Sequence, residues 1–363
     1  MDQRLSDSPA GGERTRVYVG GYTDGLPESG AGVWAFDQDP ATGALSPAEP
    51  GSEAPAVRAS NPSYLALNAD GTVLYAVHED APGTVSGFAV SEGGLRAIGR
   101  APTGGDGPCH LAVTEDGRHL LTANYDSGGF SLHPLDDDGA PGAPLQTVYG
   151  DGPRGPREDR QDGPHAHQVV VAAAGAGGPL LAVDLGTDSV YAFRLDPAAG
   201  RLEASAASRL APGSGPRHLA AASSGLAYVL GELDSTVTTV RIDPATGALD
   251  PLGSVPASPA AVGTNHPAAI RLSPDERFCY VTNRGSDTVA VFAVEGSGLR
   301  FAAEVPCGGA WPRDIALVGG FAYVANQHSD QVAVFRCGAD GSLAPTGAAA
   351  AVPRPACVLA AAV

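Results

Sequence analysis

The chain has no lysine: all 22 basic residues among its 363 are arginines. Schiff-base chemistry on a lysine amine is therefore excluded. No uninterrupted run of eighteen apolar residues occurs, so no membrane span and no membrane partner are expected. Cysteine is sparse. Cys109, Cys279, Cys307, Cys337 and Cys357 are odd in number and form no C-x-x-C, which argues against a disulfide framework or a zinc ribbon and fits a reducing, cytoplasmic setting. Positive charge is outnumbered, 22 arginines against 40 acidic residues, giving −18. Such a chain repels a phosphate backbone at long range, so nucleic acid is not an expected partner. The opening residues lack the apolar heart of a signal sequence, and 1–15 read as a disordered leader ahead of one domain over 16–363.

Glycine (49) and proline (31) are plentiful, which predicts many short elements joined by turns. They recur in order. A proline opens seven related apolar runs, at Pro62, Pro108, Pro164, Pro216, Pro267, Pro312 and Pro355, at intervals from 43 to 56 residues. Each run is followed by a polar turn, a β-branched or aromatic run such as LYAV, AYVL or CYVT, and two further alternating runs. Period-two runs divided by turn residues are strands, and four per repeat at this period make propeller blades. The predicted fold is all-β, a single seven-bladed β-propeller of four-stranded antiparallel blades. The chain starts on a second strand and ends on a first strand, RPACVLAAAV, so the two termini are expected to pair and close the ring.

In such a blade the start of the first strand and the end of the second share one face near the axis. His110, His165, His167, His218 and His266 fall at first-strand starts, and His78 and His328 at or after second-strand ends. Arg217, Arg313 and Arg354 flank the prolines. Arg284 lies in register with Glu232, Glu79, Gln327, Tyr125 and Tyr22, and Asn124, Asn283 and Asn326 close second strands. Histidine and arginine gathered on the rim of an acidic protein point to a small anionic substrate, because guanidinium binds carboxylate or phosphate through two parallel hydrogen bonds. The plainer reading is that these groups satisfy polar atoms at a channel mouth.

PHAHQ at 164–168 is the most unusual copy. Counted from Pro164, His167 falls where the other repeats carry leucine, isoleucine or valine. Either the blade holds a one-residue irregularity or a histidine occupies a packing position. A metal clip would need further ligands such as Asp184 or His218, and no metal signature links them, so neither metal nor cofactor is expected. Cys109 beside His110 offers a thiol and a base, but neighbouring strand residues face opposite sides. The preceding loop, GDGPRGPREDRQDG, carries Arg154, Arg157 and Arg160 and reads as a lid or as an insertion.

Through VYVGGYT, NPSYLALNADGTVLYAVHE, GPHAHQ, GPRHL, GEL and YVTNRG the chain resembles the seven-bladed lactonase family, which includes the propeller-type 6-phosphogluconolactonase and 3-carboxy-cis,cis-muconate lactonizing enzyme. The resemblance spans about 16–363. It implies a metal-independent site with His167 or His165 and Glu232 as catalytic groups and Arg217 and Arg284 as substrate-binding groups. His218, Arg313, Asn124, Asn283, Asn326 and His110 are further candidates for substrate contact. The implied chemistry is hydrolysis of a carboxylated or phosphorylated lactone, or its formation by a cyclase of the carboxymuconate type. The rival reading is a noncatalytic YVTN-like propeller that binds a protein or small-molecule partner, for which an aromatic and apolar rim would be expected.

Overall fold

The structure, a computed structural model, describes residues 14–27, 30–171 and 178–362. Among the described residues six sheets are four-stranded antiparallel meanders with neighbours in chain order, and a seventh joins the last strand to the first three with a short fourth strand beside the second, giving a seven-bladed β-propeller. Of the leader read over 1–15, residues 1–13 lie outside the described residues, and Thr15 already opens the strand Thr15–Gly21. The last strand, Pro355–Ala362, pairs antiparallel with Thr15–Gly21, from Thr15 opposite Ala362 to Gly21 opposite Pro355. Among the described residues no helix is long and apolar enough to cross a membrane.

The chain divides into two compact units. The first contains three complete blades, opening with the strands Pro108–Val113, Ala166–Val171 and Pro216–Ala221. The second contains the blades opening with His266–Leu272 and Pro312–Val318, and the sheet formed by the chain ends. Within each unit the core lies between successive blades, because both faces of every inner strand are covered. In the first unit Leu181, Val183 and Val190 pack against Leu219, Val229 and Val240 of the next blade. In the second, Val289, Val291 and Tyr280 meet Ile315, Val324 and Phe335.

Tyrosines at the centres of second strands tie blades together. Tyr75 Oη donates to the carbonyl of Gly139 at 2.8 Å, Tyr280 Oη to Gly341 at 3.1 Å and Tyr323 Oη to Gly43 at 2.9 Å. Each receiving glycine adopts positive φ at the tip of a hairpin, a conformation that a side chain would strain. A buried phenol needs a partner for its hydroxyl, and the neighbouring turn supplies it.

Register corrects one expectation. Pro108, Pro216 and Pro312 stand opposite Asn124, Gly231 and Asn326, and the following residue in each case is skipped by the ladder. In the PHAHQ blade, Ala166, not Pro164, stands opposite the corresponding Asp184, and His167 is the skipped residue. The irregularity is therefore the bulge shared by its neighbours. His167 aligns with Cys109, Arg217 and Arg313, and Val169 fills the leucine position. The two extra residues are accommodated upstream, where His165 N–H donates to Asp184 Oδ1 and Gly186 passes so close to the Gly163 carbonyl that a Cβ would lie 1.9 Å from it.

Candidate active site

A bulge re-aims the residue it leaves unpaired. Three successive blades of the first unit use this device on the same rim, presenting Cys109, His167 and Arg217. The residue just after the second strand adds Tyr125 in one blade and Glu232 in another. The long loop ahead of His165 adds Arg160.

These side chains form a closed circuit. Arg160 Nη2 donates to Glu232 Oε1 at 2.8 Å, and Arg217 Nε makes an ion-pair contact with Glu232 Oε2 at 2.9 Å. Arg217 Nη1 lies 3.0 Å from His218 Nε2. The His218 ring meets His167 edge-on at 5.4 Å, and His167 meets Tyr125 edge-on at 5.4 Å. Tyr125 Oη accepts from Arg160 at 3.3 Å and completes the circuit. Arg217, His218, Glu232 and His167 are all buried. Burial raises the pKa of the Tyr125 phenol and outweighs the opposing pull of Arg160, so it stays a neutral hydroxyl.

The partners define what each histidine can do. Arginine only donates, so His218 Nε2 is placed to accept from Arg217 Nη1. His110 Nδ1 accepts from the N–H of Val169 at 3.5 Å and its ring meets His218 edge-on. His165 stacks on Tyr125 at 4.6 Å, with Nδ1 3.1 Å from the Tyr125 carbonyl and Nε2 2.8 Å from Asp162. Both of its nitrogens therefore face acceptors. Its bond to Asp162 is the leading reason that this exposed carboxyl titrates below the usual range.

Cys109 is the residue its ladder skips, so strand alternation does not decide where its thiol faces, and the imidazole of another blade lies beside it. Cys109 Sγ lies 3.8 Å from His167 Nδ1 and donates to the His167 carbonyl at 3.4 Å. This contact joins residues 58 apart in sequence, and no local motif announced it. Arg160 was legible only as one of three arginines on a loop. That loop is held firmly: Gly155 N–H donates to the Gly186 carbonyl, and Gln161 Nε2 donates to Leu185 O at 2.8 Å and to Asp188 Oδ1 at 2.7 Å. Asp184, considered above as a ligand, has Oδ1 bonded to the N–H groups of His165, Gly186 and Thr187. Among the described residues no three His, Cys, Asp or Glu gather at metal-holding distance.

The asparagines do not join the circuit. Asn124 donates to Ser131, Asn283 to the Ala257 carbonyl and Asn326 to the Cys307 carbonyl, and each is fully buried. Asn283 and Asn326 thereby hold loop carbonyls, and Asn124 holds a serine of the adjacent strand. Arg284 and Arg313 belong to the second unit. Arg284 Nε donates to His266 O at 2.9 Å, and its guanidinium lies 5.6 Å from the Trp311 ring centre. Arg313 covers the Tyr22 ring at 4.9 Å and donates to its hydroxyl. Arg313 and Tyr22, with Arg354, Gln327, His328, Asp24 and Asp330, line a cavity of about 600 Å³, and Arg284 is not among its lining residues. Trp311 and Arg354 adopt φ of 62° and 40° just before their prolines, where the first unit has Gly107 and Gly215. The second unit thus keeps side chains at a position that costs backbone strain.

A family model described as a lactonase with a seven-bladed β-propeller matches residues 16–360. The 6-phosphogluconolactonase of Bacillus subtilis is 36% identical over 304 residues, covering 82% of this chain and 83% of that protein. Among solved structures, the periplasmic gluconolactonase of Pseudomonas aeruginosa superposes with a TM-score of 0.87 at 31% identity, covering 96% of this chain and 99% of the other. A protein from Lactobacillus plantarum superposes with a TM-score of 0.87 at 30% identity, with 96% and 99% coverage.

Proposed function

The chain belongs to the seven-bladed β-propeller lactonase family, and on that premise we propose that it hydrolyses the lactone of a sugar acid bearing an anionic group, by a mechanism that needs no metal. The observation that carries this reading is the circuit of Arg160, Glu232, Arg217, His218, His167 and Tyr125. It sets an imidazole and anion-binding guanidinium groups on one rim, as ester hydrolysis of a charged substrate requires. The relatives named 6-phosphogluconolactonase and gluconolactonase support a sugar-acid lactone as the substrate class.

In this reading His167 removes a proton from water as the water oxygen adds to the lactone carbonyl. Arg217 stabilises the oxyanion, the ring C–O bond then breaks, and the departing alkoxide takes the proton back from His167. Glu232 holds Arg217 in place and accepts hydrogen bonds from the substrate. His165 is a positioning residue, since its nitrogens face Asp162 and the Tyr125 carbonyl. Arg284 and Arg313 are proposed substrate-binding residues. Metal independence is supported by Asp184, whose Oδ1 serves three backbone N–H groups, and by guanidinium groups that would repel a cation from His167.

His167→Ala should lower kcat on a sugar-acid lactone by about 10²–10⁴ with little change in KM. His165→Ala should act through the placement of Tyr125 and cost less. A His167→Ala enzyme within a few fold of wild type would remove the imidazole from the mechanism. Activity should also survive dialysis against a strong chelator; loss that zinc or calcium restores would overturn metal independence.

A further inference from the structure

We propose that Arg160 is an exchangeable anion hook: it leaves Glu232 to bind the charged group of the substrate, and its departure opens Glu232 Oε1 to the substrate. The activity arm of this inference rests on the lactone-hydrolase reading above.

Glu232 is flanked by two guanidinium groups that differ in access. Arg217 and Glu232 are each 4% exposed in their side chains, whereas Arg160 is 33% exposed. The Arg217 contact is enclosed and the Arg160 contact faces solvent. Two guanidinium groups meet the Glu232 carboxylate at this rim, in a chain whose net charge is −18. A guanidinium suits a phosphate or carboxylate, and Arg160, the more exposed of the two, is the one able to turn toward it.

The loop around Arg160 fits a hook better than a flapping lid. Its backbone is anchored on both sides of the arginine, by Gly155 to Gly186 and by Gln161 to Leu185 and Asp188. Asp188 is itself held by the N–H groups of Gly213 and Gly215 at 2.7 and 2.8 Å. A fixed backbone leaves the long arginine side chain as the moving part, with a short path from one anion to another. Tyr125 Oη, at 3.3 Å, is the second anchor of the resting position. When a substrate anion takes Arg160, Glu232 retains Arg217 on Oε2, and Oε1 can accept a hydrogen bond from a substrate hydroxyl. A lactone without the anionic group has nothing to draw Arg160 away.

The test compares 6-phosphoglucono-δ-lactone with uncharged glucono-δ-lactone in the wild type, Arg160→Met and Arg160→Lys. Arg160→Met should raise KM for the phosphorylated lactone about tenfold or more, whereas kcat/KM for the uncharged lactone should not fall in parallel, because the same change frees Glu232 Oε1. Arg160→Lys should recover part of the loss, since it restores charge without the planar fork. Equal losses on both lactones, or none on the phosphorylated one, would overturn the hook. Calorimetric binding of 6-phosphogluconate and gluconate to the same proteins provides an arm independent of turnover. Wild type should prefer the phosphorylated acid and Arg160→Met should lose that preference. If no lactone is hydrolysed the functional reading fails, yet the calorimetry still decides the hook, and equal affinities in wild type and variant would sink it.

Discussion

The two units of this molecule each bury an arginine–carboxylate group, and the two groups differ in stoichiometry and access. In the second unit Arg271 Nη2 donates to Asp314 Oδ1 at 2.9 Å, while the other Asp314 oxygen accepts the N–H of Val358 at 3.0 Å. Arg271 also reaches the Tyr64 hydroxyl. One cation meets one carboxylate whose two oxygens are both engaged, with side chains only 8% and 2% exposed. In the first unit Glu232 faces two cations, one of them a third exposed. The first arrangement joins blades and offers a ligand nothing. The second places a solvent-accessible guanidinium on a rim, where a ligand can reach it. Burial and ion pairing therefore do not mark a site until the count of partners and their access are compared.

The largest effect that would sharpen this contrast is catalytic. Glu232→Gln should cut kcat on a sugar-acid lactone by about 10²–10⁴, while Asp314→Asn should leave kcat per folded molecule within about twofold. Comparable losses in both would dissolve the distinction.

Stability should show the reverse order. Asp314→Asn leaves the Arg271 charge buried without its counterion, and about 3–5 kcal/mol is expected from denaturant midpoints at constant slope. For Glu232→Gln the expected loss is similar or slightly smaller, about 2–4 kcal/mol, because Arg217 is as enclosed as Arg271 while Arg160 can turn to water. A larger loss at Glu232 than at Asp314 would make the first group structural.

A smaller effect concerns His133, buried in the first unit and away from the circuit, between Thr122 Oγ1 and the Gly142 carbonyl. Burial lowers its pKa to about 4 from the usual 6.5, against a small opposing contribution from Gly142. The native state holds this ring neutral while the unfolded chain protonates it. Its contribution is therefore complete above about pH 6.5 and is lost as pH falls toward 4, by about 2–3 kcal/mol in all. His133→Gln should flatten that part of the stability profile without moving the activity profile. An unchanged stability profile would show that His133 carries no such linkage.

Much of this was legible beforehand. Seven proline-led repeats with period-two runs predicted the blades and the pairing of chain ends, because alternation and turn chemistry are local. The blade-to-blade alignment also put Glu232 in the row with Tyr125, and GPRHL marked Arg217. The PHAHQ blade was set two residues out of register, because proline was taken as the landmark and here Ala166 occupies its place. The asparagines were read as candidates for substrate contact; in the structure each amide donates within the fold, Asn124 to Ser131 of the adjacent strand and Asn283 and Asn326 to loop carbonyls. The four-residue set implied by the family resemblance divides between the units, with His167, Arg217 and Glu232 in the first and Arg284 in the second.

The sequence by itself determined the number of blades and their strand order, since strand period and turn residues act over a few positions. Only the tertiary structure decided which polar residues meet. The bulge that aims His167 follows from pairing across a ladder, and the Cys109–His167 contact joins different blades. The pairing of Glu232 with Arg160 crosses 72 residues to a loop whose placement depends on Gln161, Asp188 and Gly186. Contacts of this kind are set by burial and geometry between separate elements, and spacing along the chain carries no record of them.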